Sequence, residues 1–323
     1  MTSTFGAVDM TDDIGIHGVG VALGSTRLEN IARGPSLGRE ESFVERRIGF
    51  SKVYRETGDD PALQLAVRAV QDLQLKSDFD PTQIDLVIAV GQASPRSRIP
   101  HLAAVLHGRL GLSRQCQTLD IGLGCSGWVH ALVVAKSLMA SCGLRQALVV
   151  TADPYSLVLD PSDDTTELIF SDGASATLLT RSGRIRIRAS DIGTDGSREG
   201  ALAVDDTGAL RMDGRAVLDF AIKNVPGSVD RAVSASGLIP SQIGEVLLHQ
   251  GSRTVVEMLA TRLSDYPRPR FLSADEGNTV SSTLPLIVDR HGLSNRFTVA
   301  SGFGVGLTWA TVVLECLEDG NED

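Results

Sequence analysis

Residues 120–132 have the sequence DIGLGCSGWVHAL, a glycine-rich turn with a cysteine at its centre. A strand is predicted before this turn, at residues 115–121, and a helix is predicted after it, ending at Gly143. The apolar positions of that helix are Trp128, Val129, Leu132, Val133, Ala135, Leu138 and Met139. Because they cover most of its faces, the helix is expected to be buried between two layers of structure.

The rest of the chain alternates short apolar runs with helical periods, a pattern typical of a layered α/β fold. In the first half we predict strands at residues 14–23, 84–90 and 147–151 and a helix at residues 61–75. In the second half we predict strands at residues 185–189 and 245–249, helices at residues 215–237, 253–263 and 284–291, and two closing strands around residues 301–306. No low-complexity linker intervenes, so residues 1–182 and 183–323 are predicted to be two similar halves that share a core.

The composition excludes several classes of protein. The chain has 323 residues, 42% of them hydrophobic and 22% charged, with a net charge of −10. That acidic balance argues against a general nucleic-acid binder but leaves room for a partner protein on a local basic patch. The four cysteines are far apart, so neither a disulfide framework nor a zinc site is expected. Without a signal-peptide pattern or a membrane-length apolar run, the protein is predicted to be soluble and cytoplasmic.

The glycine-rich turn also matches the dinucleotide-binding pattern GxGxxG, with Gly122, Gly124 and Gly127. Such a site needs an acidic residue about 20 residues further on to hold the ribose. The nearest candidate at a strand end, Asp153, lies 31 residues beyond Gly122. A nicotinamide site is therefore disfavoured.

Cys125 is the candidate nucleophile. It lies where the predicted strand turns into the buried helix, and the N–H groups and dipole of a helix N-terminus favour a thiolate. The alternative is that Cys125 is a small buried residue, as expected for the other three cysteines.

Three further segments have both a functional and a structural interpretation. His249 ends the predicted strand at residues 245–249, where it can project into a cleft or be a hydrogen-bonded core histidine. Asn278 lies in the turn EGNT, where asparagine commonly serves the turn itself. Gly302, Gly304 and Gly306 can form a hairpin turn or bring backbone N–H groups close to a ligand.

Taken together, these segments resemble the β-ketoacyl-acyl-carrier-protein synthase III group of thiolase-fold condensing enzymes, over about residues 14–316. The motifs that carry the resemblance are residues 120–132 quoted above, 159-LDPSDDTTELIFSDGASATLL-179, 210-LRMDGRAV-217, 247-LLHQGS-252, 276-EGNTVSST-283 and 301-SGFGVGLTWA-310. They occur in the family's order and at its spacing. The resemblance implies the thiolase fold, an α/β architecture whose two βαβ-type halves form an α-β-α-β-α core.

The resemblance also implies a mechanism. Cys125, His249 and Asn278 take the catalytic positions, and the backbone N–H groups of Cys125 and Val305 form the oxyanion hole. An acyl thioester loads Cys125, and a malonyl thioester then condenses with it as carbon dioxide leaves. Coenzyme A or the phosphopantetheine arm of acyl carrier protein carries the substrates, no metal or permanently bound cofactor is needed, and the enzyme is a homodimer.

Substrate contacts are also implied. The family's tunnel-mouth Trp and Arg fall on Phe43 and Arg47, and a second family Arg falls on Leu157. These weakened coenzyme A contacts favour a carrier-protein donor. Other expected lining residues are Met212, Gly214, Phe303 and Gly304.

Ile99 takes the position that limits acyl chain length. Nearby, Arg96 and Arg98 are either solvated surface charges or ligands for a polar acyl group. Carrier docking or ordinary surface charge is the role expected for Arg215, Lys223, Arg253 and Arg262.

Two alternatives to condensation remain open at this point. A relative of this kind can move the acyl group to an alcohol or amine without decarboxylation. The chain can also be a non-catalytic thiolase-fold partner subunit, although such a subunit has no need of Cys125, His249 and Asn278 together.

Overall fold

The computed structural model describes residues 7–9, 13–77, 79–93, 99–293 and 295–317. Strands in this part of the chain are β1 (Ala7–Asp9), β2 (Gly15–Leu23), β3 (Thr26–Glu29), β4 (Lys52–Arg55), β5 (Leu86–Val90), β6 (Gln117–Ile121), β7 (Gln146–Asp153), β8 (Gly173–Thr180), β9 (Ile185–Thr194), β10 (Leu202–Val204), β11 (Leu210–Met212), β12 (Glu245–Leu248), β13 (Phe297–Gly304) and β14 (Thr308–Cys316). Helices are α1 (Asn30–Arg33), α2 (Glu41–Phe43), α3 (Pro61–Lys76), α4 (Leu102–Leu110), α5 (Gly127–Cys142), α6 (Asp164–Ile169), α7 (Gly214–Ala235), α8 (Arg253–Ala260) and α9 (Thr283–His291).

Two groups of four strands repeat the same arrangement. In the first group the spatial order is β5-β7-β8-β2, and in the second it is β12-β13-β14-β9. In both groups the first pair is parallel and the next two pairs are antiparallel. This repeat supports the predicted division of the chain at residue 182, which itself stays a prediction.

The two groups meet where β2 pairs with both β8 and β9. The turn before β9 passes so close to β2 that a Cβ on Gly183 would lie 2.1 Å from the carbonyl oxygen of Gly15. Only glycine allows this approach, so the sequence at the predicted join permits the two groups to share hydrogen bonds.

Helices and strands alternate in five layers held together by apolar side chains, as the resemblance implied. Helices α3 and α4 cover one face of β5, β7 and β8. The other face of these strands packs on α5 and α9, which also cover strands of the second group. Helices α7 and α8 lie on the far side of the second group. Alternate residues of β7 serve the two faces, because successive side chains of a strand point in opposite directions.

Helix α5 is the central element of this arrangement. Trp128 and Leu132 are fully buried, and the Trp128 indole N–H donates to the Thr177 hydroxyl over 3.0 Å. Gly143 ends the helix in the left-handed conformation, with φ of 68°. The sequence prediction of a buried, glycine-terminated helix is confirmed, and the turn that precedes α5 is thereby fixed at the middle of the molecule.

Most predicted elements end within a few residues of their predicted limits. Strand β12 ends at Leu248 rather than His249, and α8 ends at Ala260 rather than Leu263. No helix of the described residues is long and apolar enough to cross a bilayer.

Candidate active site

Cys125, His249 and Asn278 line one cavity of about 820 Å³. They come from the turn before α5, the end of β12 and the loop before α9, which are far apart in sequence. All three residues are buried, with 5%, 3% and 3% of their surface exposed, respectively. The fold therefore brings the three predicted catalytic side chains to a single site.

Cys125 is held by backbone packing from β13. A Cβ on Gly302 would lie 2.6 Å from the carbonyl oxygen of Cys125, and a Cβ on Gly304 would lie 2.9 Å from the Cys125 Sγ atom. Both distances are shorter than a carbon side chain allows. The glycines of β13 thus let a strand pass directly against the cysteine, and the hairpin interpretation is confirmed by the antiparallel pairing of β13 with β14.

Burial favours the neutral thiol of Cys125 over the thiolate. Burial raises the pKa of Cys125 to about 12, and the nearby carboxylate of Asp153 adds to the increase. The backbone N–H groups of Cys125 and Val305 act in the opposite direction. The oriented N–H groups that the sequence analysis expected at Cys125 are thus present, and the cost of removing the sulfur from water opposes them.

His249 lies immediately beyond β12, and its backbone N–H donates to the Ser301 carbonyl over 2.8 Å. Its ring meets the Phe303 ring edge-on, with centroids 5.6 Å apart. Burial lowers the pKa of His249 to about 3, so the imidazole is neutral at physiological pH. Its Nδ1 atom has no hydrogen-bond partner among the described residues.

The residues after His249 keep it in place. The Gln250 amide donates to the Leu248 carbonyl and accepts from the Leu272 N–H, each over 2.7 Å. Ser252 caps α8 by accepting from the Val255 N–H over 3.3 Å. The imidazole is therefore carried on a backbone fixed on both sides.

Asn278 is fixed by its backbone and by its side chain. Its N–H donates to the Ile169 carbonyl and its carbonyl accepts from the Ser171 N–H, each over 2.9 Å. The side-chain Oδ1 accepts from the Val280 N–H over 2.9 Å, which leaves the amide NH₂ as the group available to the cavity. Asn278 thus stabilises its own turn through Oδ1 and still has an amide NH₂ group that can donate.

The wider set of predicted substrate residues divides into two groups. Those that line the cavity are Arg47, Met212, Gly214, Phe303 and Gly304. Those outside its lining are Phe43, Ile99, Leu157 and Val305. Phe43 packs under the Arg39 guanidinium instead, 4.5 Å from its carbon to the ring centroid. Ile99 is 85% exposed, and Arg96 and Arg98 lie outside the described residues.

The predicted docking residues also differ from one another. Arg215 and Arg262 are exposed. The Arg253 guanidinium lies over the Phe271 ring and donates to the Glu45 carbonyl over 3.0 Å. Arg253 therefore joins α8 to the segment that carries Arg47, which is a structural task that the sequence did not indicate.

Several lining residues were missed by the sequence analysis. Thr165 and Val217 line the cavity and lie inside motifs that carried the family resemblance, so a closer reading of those motifs would have included them. Asp153 was considered only as a ribose ligand and rejected. Its position beside Cys125 depends on strand pairing that no local sequence pattern shows.

Comparison with known proteins agrees with this geometry. Residues 119–196 match the family model 3-oxoacyl-[acyl-carrier-protein] synthase III, and residues 233–316 match the model of its C-terminal part. The β-ketoacyl-[acyl-carrier-protein] synthase III of Streptococcus agalactiae serotype III is 32% identical over 296 residues, covering 85% of this chain and 90% of the relative. That of Lactococcus lactis subsp. cremoris MG1363 is 30% identical over 313 residues, covering 88% and 95%.

Solved structures show the same fold. The 3-oxoacyl-(acyl carrier protein) synthase III of Pseudomonas aeruginosa PAO1 has a TM-score of 0.84 and 27% identity, over 97% of this chain and 99% of that one. The priming β-ketosynthase of the R1128 polyketide pathway has a TM-score of 0.85 at 24% identity, over 96% and 98%, and that likeness concerns the fold alone. The chain thus belongs to the 3-oxoacyl-[acyl-carrier-protein] synthase III family of thiolase-fold enzymes.

Proposed function

We propose that this protein is a condensing acyltransferase that loads an acyl group on Cys125 and extends it with a malonyl thioester to a 3-oxoacyl product. The observation that carries this proposal is the convergence of Cys125, His249 and Asn278 on one buried cavity. A thiol together with two hydrogen-bond donors is what acyl transfer followed by decarboxylation requires.

In the first step the Cys125 sulfur attacks the carbonyl carbon of an acyl thioester. The N–H groups of Cys125 and Val305 stabilise the oxyanion of the tetrahedral intermediate. Collapse forms the Cys125 thioester and releases the carrier thiol, which takes up the proton that Cys125 loses. Because burial raises the pKa of Cys125 to about 12, its proton must leave during the attack. The oxyanion contacts assist this step by lowering the free energy of the tetrahedral intermediate.

In the second step a malonyl thioester enters the same cavity. His249 and the Asn278 amide donate hydrogen bonds to its thioester oxygen, and loss of carbon dioxide leaves an enolate on that oxygen. The enolate carbon attacks the acyl-Cys125 carbonyl, a carbon–carbon bond forms, and the Cys125 thiolate leaves and is reprotonated. A neutral His249 suits this role, because a buried cation would stabilise the malonyl carboxylate and so oppose its loss as carbon dioxide.

The carrier and the assembly are further parts of the proposal. Leu157 at a family arginine position and the exposed Arg215 and Arg262 support acyl carrier protein as donor and extender carrier. Among the described residues, strand β6 pairs only with β5 and leaves an exposed edge, where a second copy can add its own strand to form a homodimer. Fatty-acid or polyketide-like biosynthesis in the cytoplasm is the expected setting.

Intact-protein mass spectrometry after incubation with acyl-coenzyme A and acyl-carrier-protein thioesters tests the proposal. We expect a mass gain of one acyl group that Cys125→Ala abolishes and that malonyl-carrier protein discharges. Loading without discharge by malonyl would indicate acyl transfer to an alcohol or amine. Absence of loading from every donor would favour a non-catalytic partner subunit.

A further inference from the structure

Asp153 is a buried carboxylate that the proposed chemistry does not use. It is the last residue of β7, and it is fully buried behind the Cys125 turn. Its Oδ2 accepts from both the N–H and the hydroxyl of Ser281, the N–H contact measuring 3.2 Å. Its Oδ1 accepts from the Gln92 N–H over 3.0 Å. One carboxylate of the first half thus holds a loop of the second half.

Ser281 belongs to the turn that orients Asn278. The preceding residue, Val280, has φ of 56°, a left-handed conformation that is costly for a β-branched side chain. That conformation lets the Val280 N–H reach the Asn278 Oδ1 atom over 2.9 Å. A strained turn persists only where its surroundings hold it, and Asp153 supplies two hydrogen bonds at the next residue.

A neighbouring contact comes from the same strand. The Thr151 hydroxyl lies 2.7 Å from the Ser282 hydroxyl, so β7 contacts the turn at two successive residues, Ser281 and Ser282. Asp153 is the stronger of the two contacts, since hydrogen bonds to a charged acceptor are stronger than those between neutral groups.

We infer that Asp153 is a positioning residue for decarboxylative condensation, holding the Val280–Ser281 turn so that the Asn278 amide presents its NH₂ group to the malonyl thioester. The inference rests on the proposed function. It assigns Asp153 to the orientation of Asn278, the donor of the second step, through its hydrogen bonds to Ser281.

Protonation of Asp153 is expected to weaken its hydrogen bonds with Ser281. Burial raises the pKa of Asp153 to about 6, so the carboxylate is ionised at pH 8 and is lost as the pH falls through 6. The titratable groups that face it are Cys125 and Tyr155, and burial raises the pKa of both above 10, so they stay neutral across this range. On the Asn278 turn itself, partial burial raises the pKa of Glu276. Glu276 therefore needs its own control.

The experiment compares two rates in the same preparations, acylation of Cys125 by rapid-quench mass spectrometry and discharge of isolated acyl-enzyme by malonyl-carrier protein. For Asp153→Asn at pH 8 we expect discharge to fall about tenfold or more, within the range for a misplaced donor. Acylation should not fall, because loss of the Asp153 charge removes one of the causes that raise the pKa of Cys125. The wild-type discharge rate should fall below pH 6, and this decline should persist in Glu276→Gln and disappear in Asp153→Asn.

Asp191→Asn is the matched control for the loss of a buried carboxylate. Asp191 lies on β9 and forms an ion pair with Arg231 of α7. It should lower both rates equally or neither. Hydrogen exchange of residues 276–283 gives a readout independent of activity, with faster exchange expected in Asp153→Asn and not in Asp191→Asn. Equal loss of acylation and discharge, or unchanged exchange, would overturn the inference. Failure of wild-type acyl-enzyme to be discharged would instead contradict the proposed function.

Discussion

The floor of the cavity, formed by Cys125, His249, Asn278 and Gly304, contrasts with its predicted mouth, the exposed residues Arg47, Leu157, Arg215 and Arg262, of which only Arg47 is part of the cavity lining. Floor residues are buried and fixed by backbone contacts, such as the close approach of Gly304 to the Cys125 sulfur. Mouth residues are exposed and make few fixed contacts.

The difference separates chemistry from recognition. At the floor, small displacements change the relative positions of the reacting groups, so substitutions there are expected to affect rates strongly. At the mouth, solvent screens charged contacts, so single substitutions are expected to change affinity modestly. Phe43 and Leu157, the departures that the sequence analysis noted, fall at positions expected to recognise the carrier, which is where we expect substrate preference to differ.

The largest effect is expected at the nucleophile. Cys125→Ala should lower acylation by more than about 10³-fold, since no other group at the floor can form the thioester. The mass of the acyl-enzyme measures this directly. Cys142→Ala is the control, because Cys142 is exposed at the end of α5 and remote from the cavity lining. Loading that survived Cys125→Ala and vanished in Cys142→Ala would place the nucleophile elsewhere.

The second effect is expected at the two donors. Asn278→Ala and His249→Ala should each lower condensation by roughly 10²–10³ because each removes a hydrogen bond to the enolate oxygen. Acyl-Cys125 should accumulate in both variants. Because burial lowers the pKa of His249 to about 3, wild type should keep this donor neutral from pH 5 to 8. A loss of acylation as large as the loss of condensation would refute the division of labour between the two steps.

A third prediction uses a pair of glycines at the same cavity. A Cβ on Gly304 would lie 2.9 Å from the Cys125 sulfur, whereas a Cβ on Gly251 would lie no closer than 3.8 Å to any neighbour. Gly304→Ala should therefore lower acylation by about 10²-fold by displacing the nucleophile. Gly251→Ala should stay within about twofold of wild type. Similar acylation rates in the two variants would mean that the packing of β13 on Cys125 is not critical.

The smallest effect is expected at the mouth. Arg47→Ala should raise the KM for an acyl-coenzyme A or acyl-carrier donor about two- to fivefold at low salt, as for other exposed charges. Arg46→Ala is the matched control, because Arg46 is exposed but does not line the cavity. Steady-state acylation at several salt concentrations measures both. An equal change in the two variants would point to a general charge effect.

Local pattern and family motifs predicted the buried helix α5, the four floor residues and most of the strands. They did not predict that burial raises the pKa of Cys125, because that burial arises from tertiary packing. Arg253 was grouped with the docking residues, since a sequence does not show that Phe271 lies beneath its guanidinium. The contacts of Asp153 were not predicted for a similar reason, because its partners Gln92 and Ser281 are distant in sequence and meet it only in the folded protein.

A single-turnover experiment tests the central claim most directly. Acyl-Cys125 enzyme, freed of donor, would be mixed with malonyl-carrier protein carrying a labelled carboxylate, and released carbon dioxide and product mass would be measured together. The account predicts one carbon dioxide and one 3-oxoacyl thioester for each acyl group lost from Cys125. Loss of the acyl group without carbon dioxide, or carbon dioxide without a new carbon–carbon bond, would contradict it.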